Sequence, residues 1–234
     1  MGTRGLTAVM VDGEYKIAQY GQFDHYPDGH GARILNFCQE SDMDIFREKV
    51  RNTQWATAEY VDQKWVECGA TEEEMESGYV RWEVGVKLRE EYPNLSREAS
   101  SDILNIVYED FDGEVKLIDS IDFAGDSLFC EWAYVIDLDK NTFEVYKGFN
   151  TAPVEEGERF ANAPYEVRPE GSTQTQYYPV THLRTWSLND LPSEENFKNE
   201  LNALAYPEEE EDIVALPADD LKALPANDGG EPSE

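Results

Sequence analysis

Asp24, His25, Tyr26, Asp28 and His30 bring two imidazoles, two carboxylates and a phenol into one short stretch. Nitrogen and oxygen donors at that density could ligate a divalent metal, with His182 approaching from a later strand. Asp24 or His25 could also serve as a general base. Ligand spacing within a loop is permissive, however, and no nucleophile or substrate cue stands beside them. The same residues have a simpler use: in Pro27-Asp28-Gly29 the proline presets φ and the glycine accepts a positive value, which makes a turn. Turn chemistry is the favoured reading. The five residues are carried forward as a candidate binding surface, and neither a metal nor a cofactor is expected.

A second constellation lies in the strands. Arg4 and Glu131 fall in segments that read as internal, where a carboxylate needs a partner and a guanidinium can meet it bidentately. A structural ion pair is the favoured reading, and lining a pocket near the Tyr26-Pro27 bend is the alternative. Arg4, Asp24 and Glu131 are the residues here that could take part in catalysis.

Several elements must position these groups. Leu6 to Val11 and Tyr15 to Tyr20 flank Asp12-Gly13, a type I′ hairpin signature, and apolar residues on both faces predict a ribbon covered on two sides. Residues 32 to 52 read as two helices broken near Ser41-Asp42, with Ile34, Leu35, Phe37, Cys38, Ile45, Phe46 and Val50 facing the core. Thr71 with three following glutamates predicts a helix start, which Gly78 to Glu91 could continue until Tyr92-Pro93 stops it. Ser96 is expected to cap a helix carrying Ile103, Leu104, Ile106 and Val107. Strands are expected over 115–119, 128–137, 142–148 and 180–187, with Asp139-Lys140-Asn141 turning the middle two into a hairpin. Residues 151 to 178 read as a surface excursion, either a lid or an insertion, and a last helix begins after Pro192.

The fold class is α+β: a mixed or mainly antiparallel sheet with helices packed on it. Residues 1–206 are expected to form one globular domain and 207–234 an acidic, disordered tail in which 213–216 and 221–224 could dock on a partner.

Thr3-Arg4-Gly5, the Asp12-Gly13 hairpin, Gln19 to Asp24, the Tyr26-Pro27-x-Gly29-x-Gly31 turn and Glu131 to Asp139 together resemble a largely uncharacterised family of proteins from tailed bacteriophages, prophages and some fungi. The resemblance covers roughly residues 1 to 150. Some relatives carry Cys directly after the initiator Met, an arrangement similar to that of N-terminal-nucleophile hydrolases, whose exposed α-amine serves their own side chain as base. The resemblance therefore implies layers like those of that fold. This chain has Gly2 at that position, and Thr3 would become N-terminal only if Gly2 were also removed, so catalysis by this route is disfavoured.

The net charge of -31 is the compositional outlier. The stretch after Pro207 holds ten acids and one base, so most of the acidity belongs to the body. Such a surface repels phosphates and anionic lipids, so neither direct nucleic-acid nor membrane binding is expected. It suits solubility, or attraction of a basic protein partner. No apolar run approaches the length of a membrane span, and the N-terminus has no hydrophobic signal core. Cys38, Cys68 and Cys130 have no metal-like spacing and read as reduced thiols of a cytoplasmic protein. No phosphate-binding loop, dinucleotide fingerprint or zinc motif occurs.

The function expected from these signals is a non-catalytic phage-type accessory protein that binds a host or viral protein. An amide-bond hydrolase of N-terminal-nucleophile ancestry and a virion component are the alternatives. The sequence assigns no oligomeric state.

Overall fold

The computed structural model describes residues 2–110 and 113–207. The proposed tail segments 213–216 and 221–224, and Asp112 at the start of the strand-rich region, lie outside the described residues.

The chain opens with strands β1 (Gly5–Val11) and β2 (Glu14–Gly21), joined by Asp12 at φ 55° and Gly13 at φ 78°. Two consecutive positive φ values make the type I′ turn, whose twist matches that of the flanking strands. A bulge between Val9 and Met10 shifts the register near the turn. A wide irregular turn, Pro27–Gly31, leads into α1 (Ala32–Glu40), and Asp42 caps α2 (Met43–Arg51) by accepting from the Asp44 and Ile45 amides, both at 3.0 Å. These helices bury Ile34, Leu35, Phe37, Phe46 and Val50, whereas Ile45 points outward.

Strand β3 (Gln54–Trp55) and helices α3 (Ala58–Glu67), α4 (Glu72–Ser77) and α5 (Trp82–Glu91) follow. Thr71 and Glu74 form a reciprocal capping box on α4. The expected continuation through Gly78 does not occur: Gly78 at φ 71° ends α4, and α5 starts afresh after Arg81. This trio packs around its own small core of Cys68, Ala70, Val84 and Leu88. Ser96 does not cap a helix. Its hydroxyl accepts from the Glu98 amide, and a short 3-10 turn, Ser100–Asp102, leads into α6 (Ile103–Glu109).

The 115–119 segment does not join the main sheet. Only β4 (Lys116–Leu117) is strand, paired in parallel with β3 as a separate two-stranded ribbon. The later elements are β5 (Trp132–Asp137), β6 (Thr142–Lys147), β7 (Thr181–Ser187) and α7 (Glu194–Ala205), the last capped by Ser193. The main sheet has the order β2-β1-β5-β6-β7. It is mixed: β1 and β5 run parallel, with Gly5 beside Trp132 and Met10 beside Asp137, while the other neighbours are antiparallel.

The protein is thus α+β, and the two faces of its sheet differ. Against one, α1, α2, α6 and α7 bury Val9, Ile17, Trp132, Tyr134, Ile136, Phe143 and Val145. Against the other, the turn around Ala124 and an irregular segment around Phe160 and Val180 cover Leu6, Ala8, Ala18, Ala133, Val135 and Tyr146. Helices therefore pack on one face of the main sheet and irregular chain on the other. The 151–178 excursion is that irregular chain. Strands buried on both faces need near-continuous apolar sequence, and β5 has it.

Candidate functional site

The density of polar groups at residues 24–30 comes from a turn built around a buried ring. Asp24 takes φ 57°, which a short polar side chain tolerates, and its carbonyl accepts from the His30 amide at 2.7 Å. Gly29 was expected at positive φ but adopts φ -99° and ψ -110°. What requires glycine there is space: a Cβ would collide with the Asp24 carbonyl oxygen.

His25 is fully buried over the Gly5–Gly21 pair, where a Cβ on either glycine would overlap the imidazole. The backbone ties it down on both sides, its amide donating to the Thr3 carbonyl at 3.1 Å and its carbonyl accepting from the Tyr134 hydroxyl at 2.7 Å. Nδ1 faces the Phe23 carbonyl at 3.3 Å, and Nε2 has no partner among the described residues. Burial, then the neighbouring His30, lowers its pKa to about 3, so the ring is neutral. His30 is also buried. Its ring lies tilted against that of His25, with centroids 4.7 Å apart, and shares a 2.5 Å hydrogen bond with the Ser101 hydroxyl. That serine is buried too, so the pair ties the turn to the segment before α6. Asp24, Tyr26 and Asp28 are exposed. The turn therefore divides into two buried imidazoles that hold it and three exposed residues that remain candidates for contact.

His182 does not approach this turn. It lies on the opposite face of the sheet, its ring edge-on to Tyr146 and its Nε2 2.7 Å from the Thr185 hydroxyl. Among the described residues, no group of three or more His, Cys, Asp or Glu is placed to hold a metal.

The expected Arg4–Glu131 side-chain pair is not made. Glu131 precedes β5 and is half-buried, because the chain turns through residues 126–130 instead of extending. The two residues meet through backbone: the Glu131 amide donates to the Arg4 carbonyl at 3.1 Å, and the Arg4 amide approaches Glu131 Oε1 at 3.4 Å. The Arg4 guanidinium lies instead over the Phe129 ring, 4.9 Å from its centroid. Thr3, like Arg4, is half-buried.

A polar centre that the sequence reading did not assemble lies on the face covered by irregular chain. Asp137 and Glu144 project from β5 and β6, and Arg159 descends on them from the excursion. Its Nε donates to Glu144 Oε2 at 2.7 Å and its Nη2 to Glu144 Oε1 at 2.7 Å and Asp137 Oδ2 at 2.6 Å. The Tyr146 hydroxyl donates to Glu144 Oε2 at 2.5 Å, and Nη1 of Arg159 reaches the Met10 sulfur. Burial raises both carboxyls, but the hydrogen bonds and charge of Arg159 outweigh it and hold both below their ordinary values. Burial, then Glu144, pushes the Tyr146 phenol well up. The signal for this centre was present: two acids in strands that must be internal call for a cation, and Arg159 beside Phe160 is one of the few bases in the excursion.

A cavity of about 560 Å³ opens over this network, lined also by Tyr15, Lys140, Asn162 and His182. Arg159 has its donors engaged by the protein, so the centre acts first as a clasp that fixes the excursion to the sheet. A second cavity, of about 300 Å³, lies at the foot of β5 between residues 125–129 and 164–177. All three cysteines are buried and free, and burial raises the thiol pKa of each.

No family model matches the chain, and no curated protein or solved structure is significantly similar to it. Among the described residues, no helix is long and apolar enough to cross a membrane.

Proposed function

We propose that this chain is a non-catalytic accessory protein of the phage type that binds a basic host or viral protein through its acidic surface. One observation carries the reading: the excess of carboxylates is not neutralised within the fold. The chain has 50 acids against 19 bases, and most of those bases are already held by carboxylates of the same chain. Arg51 on Asp12 at 2.8 Å, Arg81 on Glu74 at 2.7 Å, Arg184 on Glu200 at 2.8 Å and the buried Arg159 are examples. Acids outnumber bases by 31, so ion pairing leaves a large negative surplus, which sets up a long-range field that speeds encounter with a cationic partner and turns away anionic ones. In this reading the protein works in a reducing cytoplasm, which agrees with its three free, buried cysteines.

Affinity capture from host lysate at low ionic strength, followed by stepwise salt elution, tests the proposal. The expected result is retention of a basic protein that elutes as salt rises. Recovery of no partner at low salt, or of one whose retention is indifferent to salt, would count against it.

A further inference from the structure

The geometry points to the cavity at the foot of β5 as a receptor for one arginine side chain of a basic protein partner. The inference rests on the acidic-surface reading and gives it an address. The cavity, of about 300 Å³, has three aromatic rings in its lining, Phe129, Tyr165 and Tyr177, and three charged side chains, the carboxylates of Asp126 and Glu166 and the guanidinium of Arg168. Rings supply stacking faces for a planar cation, and a carboxylate supplies the charge-assisted hydrogen bond that orients it.

The charges around the cavity are not equally engaged. Glu166 is taken by Arg168 at 2.9 Å, with Gln176 holding that strand of the loop in place through the Glu166 carbonyl. Asp126 makes no ion pair among the described residues. Its carboxyl is pushed up by burial against the cavity wall and further by Glu166, against the backbone amides of Phe129 and Leu128 and the charge of Arg4, which favour the ionised form. A guanidinium arriving here would relieve that repulsion. Phe129 already shows that its ring accepts such a group, since Arg4 lies over it. An anionic aromatic ligand could use the same rings, but it would have to enter a molecule of net charge -31, and the field selects the cation.

The walls are held before any ligand arrives. Gly125 packs so closely under Pro164 that a Cβ would run into the Pro164 carbonyl oxygen. The Val180 amide donates to the Ala124 carbonyl at 2.9 Å, the Phe149 amide to the Ser127 carbonyl at 2.7 Å, and the Tyr165 ring leans on Tyr178 with centroids 5.5 Å apart. Little ordering remains to be done on binding, which favours affinity for a single side chain.

Titration of the full-length chain with the blocked tripeptide Gly-Arg-Gly, followed by amide chemical shifts, tests the assignment, with the citrulline tripeptide as its uncharged counterpart. The arginine peptide is expected to shift Asp126, Phe129 and Tyr165, and the citrulline peptide is not. Asp126→Asn and Tyr165→Leu should each weaken binding roughly fivefold with an unchanged circular dichroism spectrum, while Glu76→Gln, on α4, should leave it unaltered. If the arginine peptide binds but shifts other residues and is indifferent to both cavity variants, the address is wrong and the acidic-surface reading survives. If citrulline binds as well as arginine, charge does not select the ligand and the inference falls. If the arginine peptide does not bind at low salt, the receptor assignment falls, while the acidic-surface reading stands or falls on the capture experiment.

Discussion

Arg159 meets Glu144 edge to edge, Nε on one carboxylate oxygen and Nη2 on the other, each at 2.7 Å, with both side chains only 8% exposed. The pair joins an irregular segment to the second strand of a hairpin, and Asp137 on the first strand completes the clasp. Removing one partner of a buried ion pair leaves the other uncompensated, which costs about 3–5 kcal/mol. Arg159→Met should therefore lower stability by about that amount in urea unfolding. Arg159→Lys should lose less, since it keeps the charge but not the fork. A wild-type unfolding midpoint in Arg159→Met would show that the clasp contributes nothing.

Acid should destabilise the fold before its carboxylates titrate. His25 has a folded pKa near 3 against an ordinary 6.5, so the unfolded chain binds the extra proton between those values. The stabilisation is complete above about pH 6.5 and declines as pH falls, by up to about 1.4 kcal/mol per pH unit per proton. His30, whose pKa burial and then Arg33 also lower, adds to the slope. Asp137 and Glu144, held low in the fold, lose their contribution only at more acidic pH. His25→Phe keeps a ring over the glycine pair and should flatten the slope between pH 6.5 and 5. An unaltered slope would mean that His25 is not the group responsible.

Gly21 and His25 should behave as a coupled pair. Gly21→Ala sets a methyl into the imidazole and should lose about 1–3 kcal/mol. In the His25→Ala background the same change should be much milder, because the obstructing ring is gone. Thermal unfolding of the two single variants and the double variant measures the coupling, and simple additivity would refute the contact.

Much of this fold was readable from local chemistry. Asp12-Gly13, Asp42 and the Thr71-Glu74 box are signals whose physics is complete within a few residues, and each does what its sequence implies. The burial of β1 and β5 on both faces also follows, because runs apolar on both faces must be covered on both. Contacts set by distant partners were not readable. Lys116-Leu117 is too short to declare its neighbour and found Gln54-Trp55. Glu131 was read as buried because its strand seemed to start at Leu128, when the chain turns there and leaves the acid at the foot of the sheet. The excursion reads only as a lid or an insertion because its one decisive residue, Arg159, acts across 15 and 22 positions on Glu144 and Asp137.

Arg4 and Glu131 should prove energetically independent at their side chains. Arg4→Ala removes a stacking contact on Phe129 that is worth about 0.5–1 kcal/mol. Glu131→Ala leaves the backbone bond between the two residues in place. A double-mutant cycle in urea should give a coupling close to zero, whereas a coupling of about 2 kcal/mol or more would restore the ion pair.

Association driven by the surplus of surface carboxylates has a thermodynamic signature. It is read from the dissociation constant of the captured partner, determined by calorimetry at low and at high ionic strength. Added salt screens exposed charges beyond about 10 Å at 0.1 M, so binding should weaken steeply as salt rises. A dissociation constant that does not change with salt would contradict it.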